Sequence, residues 1–362
     1  MNEQTPRKPA VIWWGRSDPA YSRNAVVRES MQRLGWDIID YRPGLMQTLG
    51  LSSGGQLPGD ASLVWVPCFR QRDVASAARF AKAHAIPLVF DPLISAYDKQ
   101  VFERRKFAEG SSRAKRLLEW ERKRFALADL IVADTEAHAV SFRESLGTAS
   151  GRTAVVPVGA DDALFQPQPA RPTEGRRSEV LFYGSFIGLQ GPEVIARAAV
   201  LCDAVDWCLL GDGPLRPACE KIAKGRDHLR FEPWIDYEDL PARIGQADIL
   251  LGVFSDSAKA GRVVPNKVYQ AMACARPVIT RMPLTDAFPW GDEEASDSGV
   301  TLVPPNDPDA LARAVEQLAD DTSRMQAQGI AARKTFEHHG SIGRVTEAVA
   351  AVLKLATDRR AS

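Results

Sequence analysis

Glu179-Val180-Leu181-Phe182-Tyr183-Gly184-Ser185-Phe186-Ile187-Gly188-Leu189-Gln190-Gly191-Pro192 is the stretch on which the fold turns. Glu179 to Tyr183 reads as a short, mostly apolar strand. It runs through a glycine-bearing turn into a helix that opens near Pro192, where proline suits the first helical turn. Strand, turn and helix in that order make half of a βαβ unit, and a parallel sheet follows if the order recurs. It recurs along the whole chain. Downstream, strands are expected at Asp206 to Leu210, Leu229 to Glu232, Asp248 to Val253, Pro277 to Thr280 and Val300 to Val303. Upstream they are expected at Val11 to Trp14, Trp36 to Tyr41, Leu63 to Val66, Pro87 to Asp91, Leu130 to Ala133 and Ala154 to Pro157. Amphipathic segments lie between most of them, with Gly and Pro at the joins.

The alternation occurs twice in 362 residues, which suits two domains of ordinary size. One domain is expected over residues 1–160, a linker with three prolines over 161–178, and a second domain over 179–340. A C-terminal helix over 341–362 can pack back on the first domain. The expected class is α/β, two doubly wound domains facing across a cleft, with ligand at the carboxyl ends of the strands.

Composition removes several classes of function. Lys+Arg number 46 and Asp+Glu 46, so the basic footprint of a nucleic-acid binder is missing and no nucleic-acid partner is expected. The five cysteines form no C-x-x-C pair and no cluster at zinc spacing, so neither a disulfide framework nor a structural metal is expected. Asp292-Glu293-Glu294 reads as a solvated acidic run, and no metal is assigned to it. The first apolar run, Val11 to Trp14, is too brief for a signal peptide or a membrane span, and the protein is expected in the cytoplasm.

Lys99 to Arg124 holds ten basic residues against four glutamates, with Phe102, Phe107, Leu117, Trp120 and Phe125 interleaved. Gly110-Ser111-Ser112 breaks it into two helices. A solvated helix face is the first reading, and a surface that lies on anionic lipid headgroups, making the protein peripheral on a membrane, is the second.

Three constellations carry chemistry. Gly184-Ser185-Phe186 after one strand and Gly211-Asp212-Gly213-Pro214 after the next can present backbone amides to an anion, although such turns often serve only chain reversal. The third runs from Lys259 through Arg262 and Pro265-Asn266-Lys267 to Gln270. Pro265 near a helix start leaves amides in need of a partner, with Lys259, Arg262 and Lys267 close by in sequence. That pattern fits a diphosphate, with Lys267 as a point charge and Arg262 as a fork. Lys259 and Arg262 fit a charged surface loop equally well.

Residues 179 to 320 resemble the nucleotide-sugar domain of the retaining family-four glycosyltransferases, which have two Rossmann-like domains in the GT-B architecture. The stretches that carry the resemblance are Phe182-Tyr183-Gly184 with Leu189-Gln190-Gly191, Leu209-Leu210-Gly211-Asp212-Gly213-Pro214, the strand Ala247 to Gly252, and Pro265-Asn266-Lys267-Val268-Tyr269-Gln270-Ala271-Met272-Ala273 leading into Arg276-Pro277-Val278-Ile279. The first half is similar only through Asp134-Thr135 and Val156 to Asp161. The family commonly has two glutamates eight positions apart, where this chain has Arg262 and Gln270, and basic residues where it has Ser185 and Gln190.

The resemblance implies transfer of a sugar from a nucleotide diphosphate sugar to an acceptor hydroxyl, with retention and without a metal or other cofactor, in polysaccharide or glycolipid synthesis. Residues 1–160 would then hold a saccharide or lipid-linked acceptor, and 179–340 the donor. Arg262 and Lys267 would stabilise the leaving diphosphate. Gly184, Ser185, Phe186, Gly211, Gly213, Lys259, Pro265, Asn266 and Gln270 would bind the donor, Gln270 through the ribose. Trp234 either holds the base or belongs to the core. Arg16, Tyr21, Arg23 and Asn24, in the loop after the first strand, would touch the acceptor or simply cap that loop. Asp91 and Asp98 would orient or deprotonate its hydroxyl, although Asp91 before Pro92 also suits a turn. The alternatives are a catalytically silent nucleotide-sugar sensor or scaffold and a nucleotide-sugar epimerase. A nicotinamide-dependent oxidoreductase is the least favoured, because no G-x-G-x-x-G with a following acidic residue opens either domain.

Overall fold

The computed structural model describes residues 8–48, 58, 61–104, 106–169, 175–283, 290 and 295–361. Arg105, the linker residues 170–174 and Asp292-Glu293-Glu294 lie outside them.

Every expected strand forms, with ends within two residues of those read from the sequence. In chain order they are β1 Ala10–Trp14, β2 Asp37–Tyr41, β3 Ala61–Val66, β4 Leu88–Phe90, β5 Leu130–Ala133, β6 Thr153–Val155, β7 Glu179–Gly184, β8 Asp206–Gly211, β9 Leu229–Glu232, β10 Ile249–Leu251, β11 Val278–Arg281 and β12 Val300–Val303. They form two six-stranded sheets in the orders β2-β1-β3-β4-β5-β6 and β12-β11-β10-β7-β8-β9. All pairings are parallel. In each sheet the strand order reverses once, between β1 and β3 and between β7 and β10. Those are the points where loops diverge and leave a crevice at the carboxyl edge.

The chain separates into two compact units, residues 1–157 with 342–362, and residues 158–341. In the first unit, successive residues of β1 point to opposite faces. Val11 and Trp13 pack with Val26, Val27 and Met31 of helix Ser22–Arg33 and with Val345, Val349 and Val352 of helix Ile342–Ala361. Ile12 and Trp14 pack with Phe80, Phe125 and Phe142 on the other face. Burial on both faces explains why these strands read as continuous apolar runs. The second unit repeats the pattern, with Val180, Phe182, Trp207 and Leu209 packed beneath helices Pro192–Leu201 and Pro308–Ala319.

The segment expected to begin a linker at 161 is instead bound into the second unit. Phe165 is buried with its ring centroid 5.6 Å from that of Tyr237. The Gln168 amide donates to the Cys274 carbonyl, and Arg276 donates to the carbonyls of Gln168 and Pro169. Its prolines remove amide donors, but a buried aromatic and a guanidinium clamp still fix the path.

The basic segment forms a short π-helical turn, Lys99–Glu103, and an α-helix, Ser112–Phe125, capped by the Ser111 hydroxyl, which accepts from the Ala114 amide. The buried Glu121 carboxylate of this helix accepts from the Ala96 amide (2.5 Å), the Tyr97 amide (2.9 Å) and the Ser95 hydroxyl (2.7 Å). One carboxylate therefore ties the loop after β4 to the basic helix.

Arg23 and Asp91, expected at the acceptor, are engaged with one another. Both are buried, and Arg23 Nε donates to Asp91 Oδ2 at 2.9 Å. Arg23 also donates to the carbonyls of Val156 and Pro157. Burial pushes the Asp91 carboxyl up, and the Arg23 charge opposes that shift. The pair joins the first helix, the end of β4 and the exit from β6. Replacing Asp91 with alanine leaves a buried guanidinium uncompensated and should cost about 3–5 kcal/mol by urea unfolding, whereas Arg23→Met with Asp91→Leu should recover much of it. Equal losses in the single and double variants would show the pair to be unimportant for stability.

Candidate functional site

In the second unit the crevice lies where β7 and β10 part. The β7 to β8 register sets Gly184 beside Gly211. A Cβ on Gly211 would stand 2.1 Å from the Gly184 carbonyl oxygen, and one on Gly213 would stand 1.7 Å from that of Ser185. Gly211 and Gly213 have φ of 120° and 155°. These two glycines, expected at the donor, are thus required for two strand-end turns to pack backbone against backbone. Phe186 is corrected in the same sense: its side chain is buried in the core against Phe182 and Phe231. Only its backbone belongs to the turn. Ser185 is exposed beside it.

On the β10 side, helix Asn266–Ala273 begins after Pro265, which provides no side-chain cap. The Val268 amide donates to the Pro265 carbonyl, and the helix start presents the positive end of its dipole. Lys267, in that first turn, reaches back beneath β7. Its ammonium lies 4.0 Å from the Phe182 ring centroid and 5.7 Å from that of Tyr183, a favourable cation–π placement. The nitrogen is buried and has no hydrogen-bond partner, and burial holds its pKa well below the usual lysine range. The Gln190 amide oxygen is also buried without a partner. Both atoms converge on Gly184, where a Cβ would stand 2.8 Å from Lys267 Nζ and 2.6 Å from Gln190 Oε1. Only a bare α carbon leaves them that space.

Gln270, expected at a ribose, is engaged by two tyrosines. Tyr183 Oη lies 3.0 Å from its Oε1, and its Nε2 donates to Tyr237 Oη at 3.0 Å. Tyr183 and Tyr237 escaped the sequence reading, although Tyr183, a polar-tipped residue at a strand end, was the available signal. Trp234 is 52 % exposed, which removes it from the core and leaves its ring open to a planar group. Lys259 is buried and Arg262 partly so, both on the loop after β10, where the Arg262 amide donates to the Lys259 carbonyl. Arg281 clamps that loop through the carbonyls of Ser255 and Ser257. Among the described residues no three His, Cys, Asp or Glu side chains gather as a metal site.

In the first unit the acceptor candidates separate. Arg16 is exposed in the loop after β1. The Tyr21 ring meets Phe69 edge-on at 5.2 Å. Asn24 is buried, donating to the Asp18 carbonyl and accepting from the Cys68 thiol. Asp98 is buried, and its amide donates to the Ser95 hydroxyl. A cleft of about 970 Å³ opens beside Phe69, between the segment after β3 and the basic helix. Its lining residues Arg70 and Arg72 were missed because two arginines after a strand look like ordinary loop charge.

Comparisons agree with this geometry. Residues 177–321 match the family described as Glycosyl transferases group 1. A D-inositol 3-phosphate glycosyltransferase of Kineococcus radiotolerans is 28 % identical over 265 residues, which is 65 % of this chain and 59 % of that relative. The chain thus spans well under two thirds of the curated relative it matches. Anabaena Alr3699/HepE in complex with UDP-glucose superposes with a TM-score of 0.71 at 14 % identity, over 96 % of this chain and 100 % of that one. The sucrose-phosphate synthase of Thermosynechococcus elongatus gives 0.72 at 16 % identity, over 96 % and 98 %. The fold is that of GT-B proteins, and residues 177–321 are similar to the group 1 glycosyltransferases.

Proposed function

We propose that this chain transfers a hexosyl group from a nucleotide diphosphate sugar to an acceptor hydroxyl, with the donor in the second unit and the acceptor on the first. The observation that carries the reading is the Lys267 ammonium, buried beside Gly184 and the start of helix Asn266–Ala273 with no acceptor atom of its own. A diphosphate supplies what that group lacks. Uridine as the base is inferred from the ligand of the Anabaena protein.

The costly event in such a transfer is the negative charge that grows on the departing diphosphate as the glycosidic C–O bond breaks. Preorganised donors in a dry site stabilise that charge most effectively. Lys267 would donate to a phosphate oxygen, joined by first-turn amides of its helix. Arg262 would neutralise charge from the loop, assisted by Lys259. Trp234, with its ring exposed, would stack on the base. The same chain's cations would carry this charge in place of a metal ion. Retention of anomeric configuration follows the family resemblance, and a role in polysaccharide or glycolipid synthesis is the matching setting. The basic helix Ser112–Phe125 supports work beside anionic lipid on the cytoplasmic face. No helix among the described residues is long and apolar enough to cross a membrane.

Lys267→Met should separate binding from folding. The wild-type lysine binds fewer protons in the folded than in the unfolded chain between its depressed pKa and about 10.4, so its penalty is full below that window and fades as pH rises. The variant should be more stable than wild type by about 1–3 kcal/mol at neutral pH in urea titrations, and should lose that pH-dependent difference in alkali. Calorimetry should find UDP bound more weakly by the variant than by the wild type. A Lys267→Met protein that binds UDP undiminished would refute the assignment.

Turnover separates the competing activities. UDP release from a UDP-sugar should require an added acceptor, and Lys267→Met should lower kcat by about 10²–10³. Interconversion of sugars without acceptor would identify an epimerase, and binding without either reaction a sensor.

A further inference from the structure

Tyr183 stands at the meeting of three groups in the second unit. It is the last side chain of β7 before Gly184, and it is buried. Its hydroxyl oxygen lies 3.0 Å from Gln270 Oε1 and 3.2 Å from the Lys267 carbonyl oxygen, and its ring centroid lies 5.7 Å from Lys267 Nζ. Burial pushes its pKa well above the usual phenol range, so the hydroxyl keeps its proton and acts as a donor. A phenylalanine would fill nearly the same volume without a polar atom to satisfy. What the oxygen adds is therefore hydrogen bonding.

Gln270 lies one helical turn beyond Lys267, on the same face of helix Asn266–Ala273, and is buried. Its amide is held at both ends. Tyr183 donates to Oε1, while Nε2 donates to Tyr237 Oη at 3.0 Å. A carboxylate at this position would carry no N–H, and both tyrosines would have to donate to it. The glutamine instead gives the chain one direction, from Tyr183 through Gln270 to Tyr237. A primary amide has two N–H groups and two lone pairs, so one of each remains after the tyrosines are served. Together they suit a hydroxyl, which both donates and accepts.

The place of this amide fits the order of parts in a nucleoside diphosphate, where a pentose joins base to diphosphate. Tyr183 ties Gln270 to the backbone of Lys267, and Tyr237 ties it to the segment after β9 that carries the exposed Trp234. That segment is anchored in turn, because the Tyr237 ring packs edge-on against buried Phe165.

We propose that Tyr183 is a positioning residue whose hydroxyl fixes the orientation of the Gln270 amide, so that the site distinguishes a ribonucleotide donor from its deoxy counterpart. The proposal rests on the donor reading of Lys267 and Trp234. Tyr183 itself touches no substrate. It acts through Gln270, whose amide, released at one end, would turn and lose its match to a pentose hydroxyl.

Calorimetry on the full chain with UDP, 2′-deoxy-UDP and 3′-deoxy-UDP tests selectivity. Wild type should bind UDP about tenfold more tightly than at least one deoxy analogue. Tyr183→Phe keeps the ring beside Lys267 and should lose most of that preference, weakening UDP about five- to tenfold while the analogue binds as before. KM for the UDP-sugar should rise by the same factor, with kcat within about twofold. Lys267→Met, in contrast, should weaken all three ligands alike. Tyr237 is partly exposed, so Tyr237→Phe should fold even if Tyr183→Phe does not, and it should lower the same preference. An unchanged preference in the variants, or equal weakening of UDP and both analogues by Tyr183→Phe, would overturn the proposal.

A second readout needs no ligand. The side-chain amide protons of Gln270, identified by NMR from their absence in Gln270→Leu, should exchange with water at least about tenfold faster in Tyr183→Phe. Equal exchange would overturn the positioning role whether or not a donor binds. Faster exchange in a protein that neither binds UDP nor releases it from a UDP-sugar would count against the transferase reading and leave the hold of Tyr183 on Gln270 in place.

Discussion

A charged nitrogen held among apolar groups, with nothing to donate to, is the constraint around which the second unit is arranged. Lys267 can occupy its position because Gly184 has no side chain, and Gly184 can stand there because Gly211 and Gly213 let the neighbouring turn close on its backbone. Substituting any of these glycines would move the strand end that defines the recess. The arrangement costs folding free energy, since a desolvated ammonium is poorly compensated by two ring faces. Such a cost is expected at a binding site, where a group that matches the ligand is set before the ligand arrives.

Most of the strands were legible because a parallel strand covered on both faces is apolar at successive positions. Val11 and Trp13 enter one core while Ile12 and Trp14 enter the other, so the four-residue run needed no alternation to be recognised. The linker was misjudged because three prolines say only that regular structure is interrupted. They carry no information on whether Phe165 finds a pocket, and Phe165 does.

Site residues were harder to read, for a reason that Arg23 makes plain. An arginine in the first turn of the helix after β1 presents the same sequence whether it meets a ligand or a buried carboxylate 68 positions away. Lys267 follows a proline at a helix start, which sets its backbone in a particular local geometry. Gln270 was expected at a sugar hydroxyl from its position alone, and the two tyrosines that hold it come from β7 and from the segment after β9. Burial and pairing are properties of the folded chain, and a charged residue gives no local sign of them even in the first turn of a helix.

The two sheets use their crevices differently, and the difference follows from what each must hold. Beside β7 a single ammonium and the start of a helix lie close to Gly184. After β3 the cleft is broad, with cations spread around it and aromatic faces between them. Distributed charge discriminates poorly among positions of a single phosphate but holds a large, partly apolar molecule through several weak contacts at once.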